Sequence, residues 1–287
     1  MAATSCWSRP AIPARVSASC CPRPRTNSAT LAWDPKTYLA FGAERTRPAA
    51  DLLARVPLVV ASRVADLGCG PGNSTALLRA RFPDAEIDGI DVSPEMLRDA
   101  SKAGIDARFI EADIAAWTPD APYDVIYSNA ALQWLGTHET LLPRLLSFVA
   151  PGGVLAVQVP RNFEERCHVL IREAVADPRW AQQMKDVRDW WNVLAPEAYY
   201  DLLAPGAAIG MWETRYFHIL EGKDPVFHWN LGTGLRPFAA ALESPLKEEF
   251  LEHYRKLLEA AYPPQADGKI IHPFLRLFFV ALKKQAA

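Results

Sequence analysis

Residues 66 to 72 have the types and spacing of a ligand-binding loop, because they read Asp-Leu-Gly-Cys-Gly-Pro-Gly directly after an apolar run. Glycine has no Cβ, so the backbone at Gly68 and Gly70 can approach a ligand closely. A carboxylate at Asp66 attracts a cationic amino group and repels a pyrophosphate. A nicotinamide dinucleotide loop requires G-x-G-x-x-G, whereas this loop is G-x-G-x-G and position 73 is Asn. The loop therefore favours a ligand with a cationic end and disfavours a nicotinamide dehydrogenase.

Three further polar residues, Asp91, Asp113 and Asn129, each lie where an apolar run ends. Asp91 is placed to accept hydrogen bonds from both hydroxyls of a ribose. Asp113 is placed to accept one from an adenine amino group, while the neighbouring Ile114 packs on the ring. A single acid at a strand end is commonly just solvated, but the glycine loop and these residues together indicate a binding site.

The elements that position these residues alternate between strand and helix. The predicted strands of the first half cover residues 59–67, 86–90, 108–110, 124–128 and 154–159. The predicted helices cover residues 47–56, 73–82 and 141–149, with another that starts after the N-cap Ser93 and stops at Gly104. Two late strands, at 211–220 and 274–282, return to the sheet edge. The prediction is an α/β fold, a doubly wound, mostly parallel, seven-stranded sheet with a helical cap.

Length and composition bound the remaining possibilities. The chain has 287 residues, half of them hydrophobic, which is enough for one large domain. We predict a domain at residues 33–287, with a cofactor-binding core at about 57–160 and cap insertions at about 161–210 and 221–272. A net charge of −2 argues against a nucleic acid partner, and the longest apolar stretches are too short for a membrane span. The spacing of the five cysteines matches neither a disulfide framework nor a zinc site, which favours a reducing compartment. We expect a cytoplasmic monomer.

Residues 1–32 differ from the rest, because they contain four arginines, four prolines and no acidic residue. Such a segment buries too little apolar surface to fold alone. Three interpretations remain open: a disordered or mis-assigned start, an organelle transit peptide, or a functional arm.

Together these motifs resemble the class I S-adenosylmethionine-dependent methyltransferases. In more detail, the chain is similar to the trans-aconitate 2-methyltransferase family from about residue 33 to residue 283. The stretches that carry this second resemblance are Trp33-Asp34-Pro35, Glu44-Arg45-Thr46-Arg47-Pro48, 51–57, 70–75, 128–135, Thr233-Gly234-Leu235-Arg236-Pro237 and Arg276-Leu277-Phe278. Residues 177–198 are less similar, and the segment 1–32 has no counterpart.

The resemblance implies transfer of a methyl group from S-adenosylmethionine to a carboxylate of trans-aconitate or a related tricarboxylate, giving the monomethyl ester. The residues it implies for the cofactor are Asp66, Gly68, Cys69, Gly70, Asp91, Val92, Asp113, Ile114 and Asn129. Cys69 is otherwise expected to be a small loop residue. A carboxylic acid is already ionised at pH 7, so we expect positioning alone, with no catalytic base and no metal.

A tricarboxylate needs cations, and the planar fork of arginine suits carboxylates. The candidate arginines are Arg45, Arg47, Arg161, Arg215, Arg236 and Arg276. We rank Arg236, Arg45 and Arg161 first among them, and add Trp134 and Tyr216 as candidates for the wall of the substrate site. The alternatives are a non-catalytic module that binds S-adenosylmethionine and a methyltransferase with a different small-molecule acceptor.

Overall fold

The computed structural model describes residues 42–187 and 192–285. The predicted extension 1–32 lies outside these ranges. The strands are β1 Arg63–Leu67, β2 Glu86–Asp91, β3 Arg108–Glu111, β4 Tyr123–Asn129, β5 Val149–Pro160, β6 Ala207–Leu220 and β7 Ile270–Lys283. The helices are α1 Gly42–Leu53, α2 Asn73–Arg81, α3 Pro94–Lys102, α4 His138–Ser147, α5 Arg166–Val175, α6 Ala181–Met184, α7 Pro196–Leu203, α8 Pro225–Leu231, α9 Arg236–Ala240 and α10 Leu246–Ala261, with a 3-10 turn at Leu132–Trp134.

The seven strands form one sheet in the order β3-β2-β1-β4-β5-β7-β6. β1 to β5 are mutually parallel, and β7 runs antiparallel to both β5 and β6. The chain reverses its winding direction between β1 and β4, so the carboxyl ends of these strands open a crevice for a ligand. The predicted fold class is confirmed, including the late strands at the edge.

The first strand is shorter than predicted. Pairing begins at Arg63, while Val59 and Val60 are 75% and 82% exposed. The Asp124 carboxylate instead accepts hydrogen bonds from the backbone N–H groups of Ser62 and Arg63, at 2.7 and 3.0 Å. The apolar run therefore begins before the strand does, because its first residues have no neighbouring strand to pair with.

The sheet has two different faces. One face packs against α4 and α7 through residues such as Leu155 and Leu277. The other packs against α1 and α2 through residues such as Val154 and Phe278. A third cluster lies around the buried Trp180 and joins α5, α8 and α10 to Phe274 of β7. Thus the helices of the second half cover one end of the β6–β7 pair, beside the carboxyl end of β5.

Candidate active site

The glycine loop joins β1 to α2 and contains three glycines with positive φ angles, Gly68, Gly70 and Gly72. At Gly68, where φ is +72°, a Cβ would lie 2.2 Å from the Cβ of Ala131, so only glycine fits against the segment after β4. At Gly70, where φ is +54°, a Cβ would meet nothing within 4 Å among the described residues. The missing side chain of Gly68 therefore allows the loop to pack closely against Ala131. Gly70, in contrast, borders space that no described residue fills and that a ligand can occupy.

Asp66 is completely buried at the end of β1. Its Oδ2 accepts hydrogen bonds from the hydroxyls of Ser74 and Thr75, both at 2.7 Å. Its Oδ1 is buried and makes no hydrogen bond within the described ranges. Burial raises the pKa of Asp66 to about 6, although the two hydroxyls act in the opposite direction. A cationic group at Oδ1 would complete this carboxylate and stabilise its ionised form.

Asp91 holds the loop from the neighbouring strand. Its Oδ2 accepts from the backbone N–H of Gly70 and its Oδ1 from that of Ser93, both at 2.9 Å. Ser93 in turn caps α3 by accepting from the N–H of Met96 at 3.3 Å. A carboxylate has about four lone-pair sites, so Asp91 keeps capacity for ligand hydroxyls after these two bonds.

The residues expected around the adenine lie beside this loop. Ile114 is buried, and its Cδ1 lies 3.8 Å from the Cβ position at Gly68. Asp113 is exposed and accepts from the N–H of Ala115 at 2.8 Å. Val92 is 68% exposed. The structure therefore brings Ile114 to the loop, with Asp113 and Val92 at the solvent edge.

Cys69 is buried inside the loop, and burial raises the pKa of its thiol. A neutral thiol is a poor nucleophile, so Cys69 has the character of a packing residue.

Asn129 ends β4, where its Cα pairs with that of Gln158 on β5. Its Oδ1 is buried and makes no hydrogen bond with the described part of the chain. The next residue, Ala130, has a φ of +54° and turns the chain away from the strand. The open Oδ1 groups of Asp66 and Asn129 and the space beside Gly70 fit a ligand with a cationic amino group and a hydroxylated ribose, as S-adenosylmethionine has.

The arginines ranked first in the sequence lie in different surroundings. Arg161 forms an ion pair with Glu213. Glu213 pairs in register with Leu277, whose side chain belongs to the face covered by α4 and α7. The side chain of Arg45 lies outside the part of the chain that the structure describes. Arg236 is half-buried at the start of α9, and desolvation lowers its pKa.

The aromatic candidates also differ from each other. Trp134 ends the 3-10 turn after β4 and is 36% exposed. Tyr216 is buried on β6 and donates a hydrogen bond to the carboxylate of Asp51 at 2.6 Å. The guanidinium of Arg47 lies 5.6 Å from the centre of its ring. Tyr216 thus ties α1 to the edge of the sheet.

The structure brings together two residues on neighbouring strands, Arg276 and Gln158. The sequence analysis ranked Arg276 low and did not select Gln158. Arg276 lies on β7 with only 4% of its surface exposed. It donates from Nη1 to the Oε1 of Gln158 at 3.2 Å, and its guanidinium carbon lies 4.4 Å from the centre of the Phe274 ring. The available signal was an arginine inside an apolar strand, whereas nothing local marked Gln158. Across the described ranges no group of histidine, cysteine and acidic residues is arranged to hold a metal ion.

Comparisons with known proteins agree with this geometry. A family model described as a methyltransferase domain matches residues 64–153. The trans-aconitate 2-methyltransferase of Klebsiella pneumoniae is 50% identical over 252 residues, which cover 88% of this chain and 98% of that protein. The enzyme of the same name from Methylobacterium nodulans is 49% identical over 251 residues, covering 87% and 97%.

A solved structure, the YcgJ protein from Bacillus subtilis, superposes with a TM-score of 0.57 at 12% identity, covering 84% of this chain and 99% of that one. At this identity the likeness supports the fold alone. The identity of about half over nearly the whole length of the curated relatives establishes more. The chain belongs to the trans-aconitate 2-methyltransferase family of S-adenosylmethionine-dependent methyltransferases.

Proposed function

We propose that this protein transfers the methyl group of S-adenosylmethionine to a carboxylate of trans-aconitate and releases the monomethyl ester. The observation that supports the identity of the acceptor is the near full-length similarity to relatives that carry the name of this substrate. The buried Asp66 carboxylate at the glycine loop and the buried Arg276 beyond it suit a cationic donor and an anionic acceptor.

The reaction needs no proton transfer from the protein. A carboxylic acid with a pKa near 4 is ionised at neutral pH and is already a nucleophile. His138, the imidazole closest in sequence to the end of β4, is buried between the Leu132 carbonyl and the Tyr199 hydroxyl, both at 2.7 Å. Desolvation lowers its pKa, so His138 is a neutral structural residue.

The protein's contribution is positioning. When bound, S-adenosylmethionine supplies an electrophilic methyl group on a sulfonium. In the proposed complex Asp66 binds the amino group of the donor, and Asp91 binds its ribose while it holds the loop. Well-oriented reactants reach effective molarities of roughly 10⁵–10⁸ M, which accounts for rate without a base.

We propose further that the chain acts in the cytoplasm as a monomer, without nucleic acid or membrane as a partner. The buried thiols of Cys69 and Cys167 are unpaired, as a reducing compartment favours. In the described ranges, no helix combines the length and the apolar composition needed to cross a bilayer.

The test is product analysis. The purified chain is incubated with S-adenosylmethionine and trans-aconitate. The products are then separated, and their masses are measured by mass spectrometry. We expect an ester that has gained one methyl group, formed faster from the trans isomer than from the cis isomer or citrate. Binding of the donor without any ester would support the non-catalytic module, and methylation of a phenol or an amine would support a different acceptor.

A further inference from the structure

We propose that Gln158 binds the carboxylate that receives the methyl group, donating a hydrogen bond from its side-chain Nε2 to one oxygen while the other oxygen attacks. This inference rests on the proposed function and names a further substrate-binding residue of the same site.

The buried amide of Gln158 is the first observation. The side chain is completely buried near the end of β5. Its Oε1 accepts a hydrogen bond from Nη1 of Arg276 at 3.2 Å, and this bond fixes which end of the amide is the donor. The donor atom, Nε2, is buried and makes no hydrogen bond to any described residue. An amide donor without an acceptor is costly in a protein interior, so this position favours a ligand that supplies an acceptor.

The second observation is the face of the sheet on which Gln158 lies. Its neighbours on β5, Val157 and Val159, belong to the cluster that packs against α4 and α7. Because strand residues alternate in direction, the side chain of Gln158 lies on the opposite face. Both neighbours of Asp66 on β1 belong to the same cluster. Asp66, which we assign to the donor, therefore shares the face of Gln158.

The third observation is the distance from the donor residues. The Cα of Gln158 pairs with that of Asn129, and neighbouring strands lie about 4.8 Å apart. The Gln158 carbonyl also accepts from the N–H of Ala130 at 3.0 Å, where the chain leaves β4. Neither the Oδ1 of Asn129 nor the Nε2 of Gln158 bonds to a described residue, so the two amides do not satisfy each other. An oxygen held by Nε2 would thus lie within about one side chain of the donor.

A neutral amide suits the reacting carboxylate. One carboxylate oxygen accepts from Nε2, and the other forms the bond to the methyl carbon as the carbon–sulfur bond breaks. The sulfur keeps the electron pair of the broken bond, and no proton moves. A hydrogen bond to a charged group is stronger than a neutral one, yet an amide withdraws less negative charge from the attacking oxygen than a guanidinium fork would. The amide therefore orients the nucleophile, and orientation is what this reaction requires.

Gln158→Glu is the sharpest variant, because it keeps the shape of the side chain and an oxygen that faces Arg276. It replaces Nε2 with a carboxylate oxygen, which cannot donate and which repels an anionic acceptor. We expect kcat/KM for the tricarboxylate to fall by at least about 100-fold. We expect the affinity for S-adenosylmethionine to fall by no more than about threefold.

Gln158→Met removes the donor without adding a charge. Loss of one hydrogen bond to a charged group predicts a decrease in kcat/KM of about 30-fold. Gln265→Glu is the matched control for the charge change, because Gln265 is exposed in the loop before β7. It is expected to alter kcat/KM by less than about twofold.

Truncated acids show which carboxylate Gln158 binds. Each dicarboxylate of the series lacks one carboxylate of the tricarboxylate. Every acid that the wild type methylates retains the reacting carboxylate, so Gln158→Met is expected to lower kcat/KM by about the same factor for each. An acid for which Gln158→Met costs nothing would place the amide on a carboxylate that is not methylated.

The outcomes separate this inference from the proposed function. If the wild type forms no ester, the proposed function fails before any variant is compared. If the wild type forms the ester and kcat/KM is unchanged in both Gln158→Glu and Gln158→Met, the inference is wrong and the proposed function stands. A fall in donor affinity as large as the fall in kcat/KM would show that Gln158 only supports the fold of the site, which also overturns the inference.

Discussion

The proposed donor end of the site, around Asp66, and the proposed acceptor end, around Arg276, are built in different ways. At the donor end Asp66 is bound by Ser74 and Thr75, eight and nine positions later in the chain. At the acceptor end Arg276 is bound by Gln158, which lies 118 positions away. The first arrangement follows from one loop and one helix start, whereas the second exists only after the antiparallel strand β7 has joined β5.

The two ends also differ in charge. Asp66 has a buried carboxylate whose Oδ1 makes no hydrogen bond to a described residue, whereas Arg276 has a buried guanidinium. In the proposed complex a cationic donor and an anionic acceptor are each placed beside the opposite charge. The surroundings of Asp66 therefore depend on local backbone geometry, whereas those of Arg276 depend on how distant strands pair.

The largest effect is expected from Gly68→Ala at the donor end. The new Cβ would lie 2.2 Å from the Cβ of Ala131, in a backbone conformation that alanine avoids. We expect the free energy of unfolding to fall by about 3 kcal/mol or more, measured by urea denaturation. Gly70→Ala is the control, because it shares the positive φ but its Cβ meets no described atom within 4 Å. It is expected to lose donor affinity with a smaller loss of stability. Equal stability losses would contradict the separate roles of these glycines.

The next largest effect is expected from Asp66→Asn. This variant keeps the shape of the side chain but removes the charge that we assign to the donor's amino group. We expect donor affinity to fall by about 30-fold in calorimetric titrations, the usual size for a buried charged hydrogen bond. The stability of the ligand-free protein is not expected to fall, since a buried carboxylate with a raised pKa opposes folding at neutral pH. An unchanged donor affinity would remove Asp66 from the site.

The pH dependence of donor binding follows from the same group. Because the pKa of Asp66 is about 6 in the ligand-free protein, the carboxylate becomes protonated as the pH falls through 6. We expect donor affinity to decrease below pH 6 by up to about tenfold per pH unit, and Asp66→Asn to lose this dependence. The ligand-free protein is expected to lose stability as the pH rises from about 4 to about 6, because its folded state holds this proton more tightly than the unfolded chain. Donor affinity that is flat between pH 5 and pH 7 would contradict this assignment.

The smallest effect is expected from Tyr216→Phe, at the edge of the acceptor end. The variant removes the hydrogen bond from Tyr216 to Asp51 and leaves the ring in place. We expect a loss of about 1 kcal/mol in stability with little change in the KM for the acceptor. A large rise in KM with unchanged stability would instead place the Tyr216 hydroxyl on the substrate.

The sequence predicts the elements around the glycine loop well because their signals are local. Alternating strands and helices, the glycine loop and the Ser93 cap each depend on a few adjacent residues, and all are present in the structure. The beginning of β1 was predicted too early, because an apolar run does not show where a neighbouring strand starts. Tyr216 was predicted as a candidate, but its pairing with Asp51, 165 positions away, has no local signature.

The acceptor end shows the limit of sequence reasoning more sharply. Arg161 ranked above Arg276 because it follows a strand at the ligand-facing end of the sheet. In the structure Arg161 is engaged by Glu213 on one face, while Arg276 is buried on the other. Which face an arginine occupies depends on the register of β5, β7 and β6, and that register is fixed by the packing of three distant segments.

One set of titrations tests most directly whether two oppositely charged ends of the site bind two different molecules. Asp66→Asn and Arg276→Lys are each titrated with S-adenosylmethionine. Each variant is then saturated with S-adenosylhomocysteine and titrated with trans-aconitate. We expect Asp66→Asn to lose affinity mainly for the donor, and Arg276→Lys, which lacks the planar fork of the guanidinium, to lose affinity mainly for the acceptor. Variants that weaken both molecules alike, or neither, would contradict it.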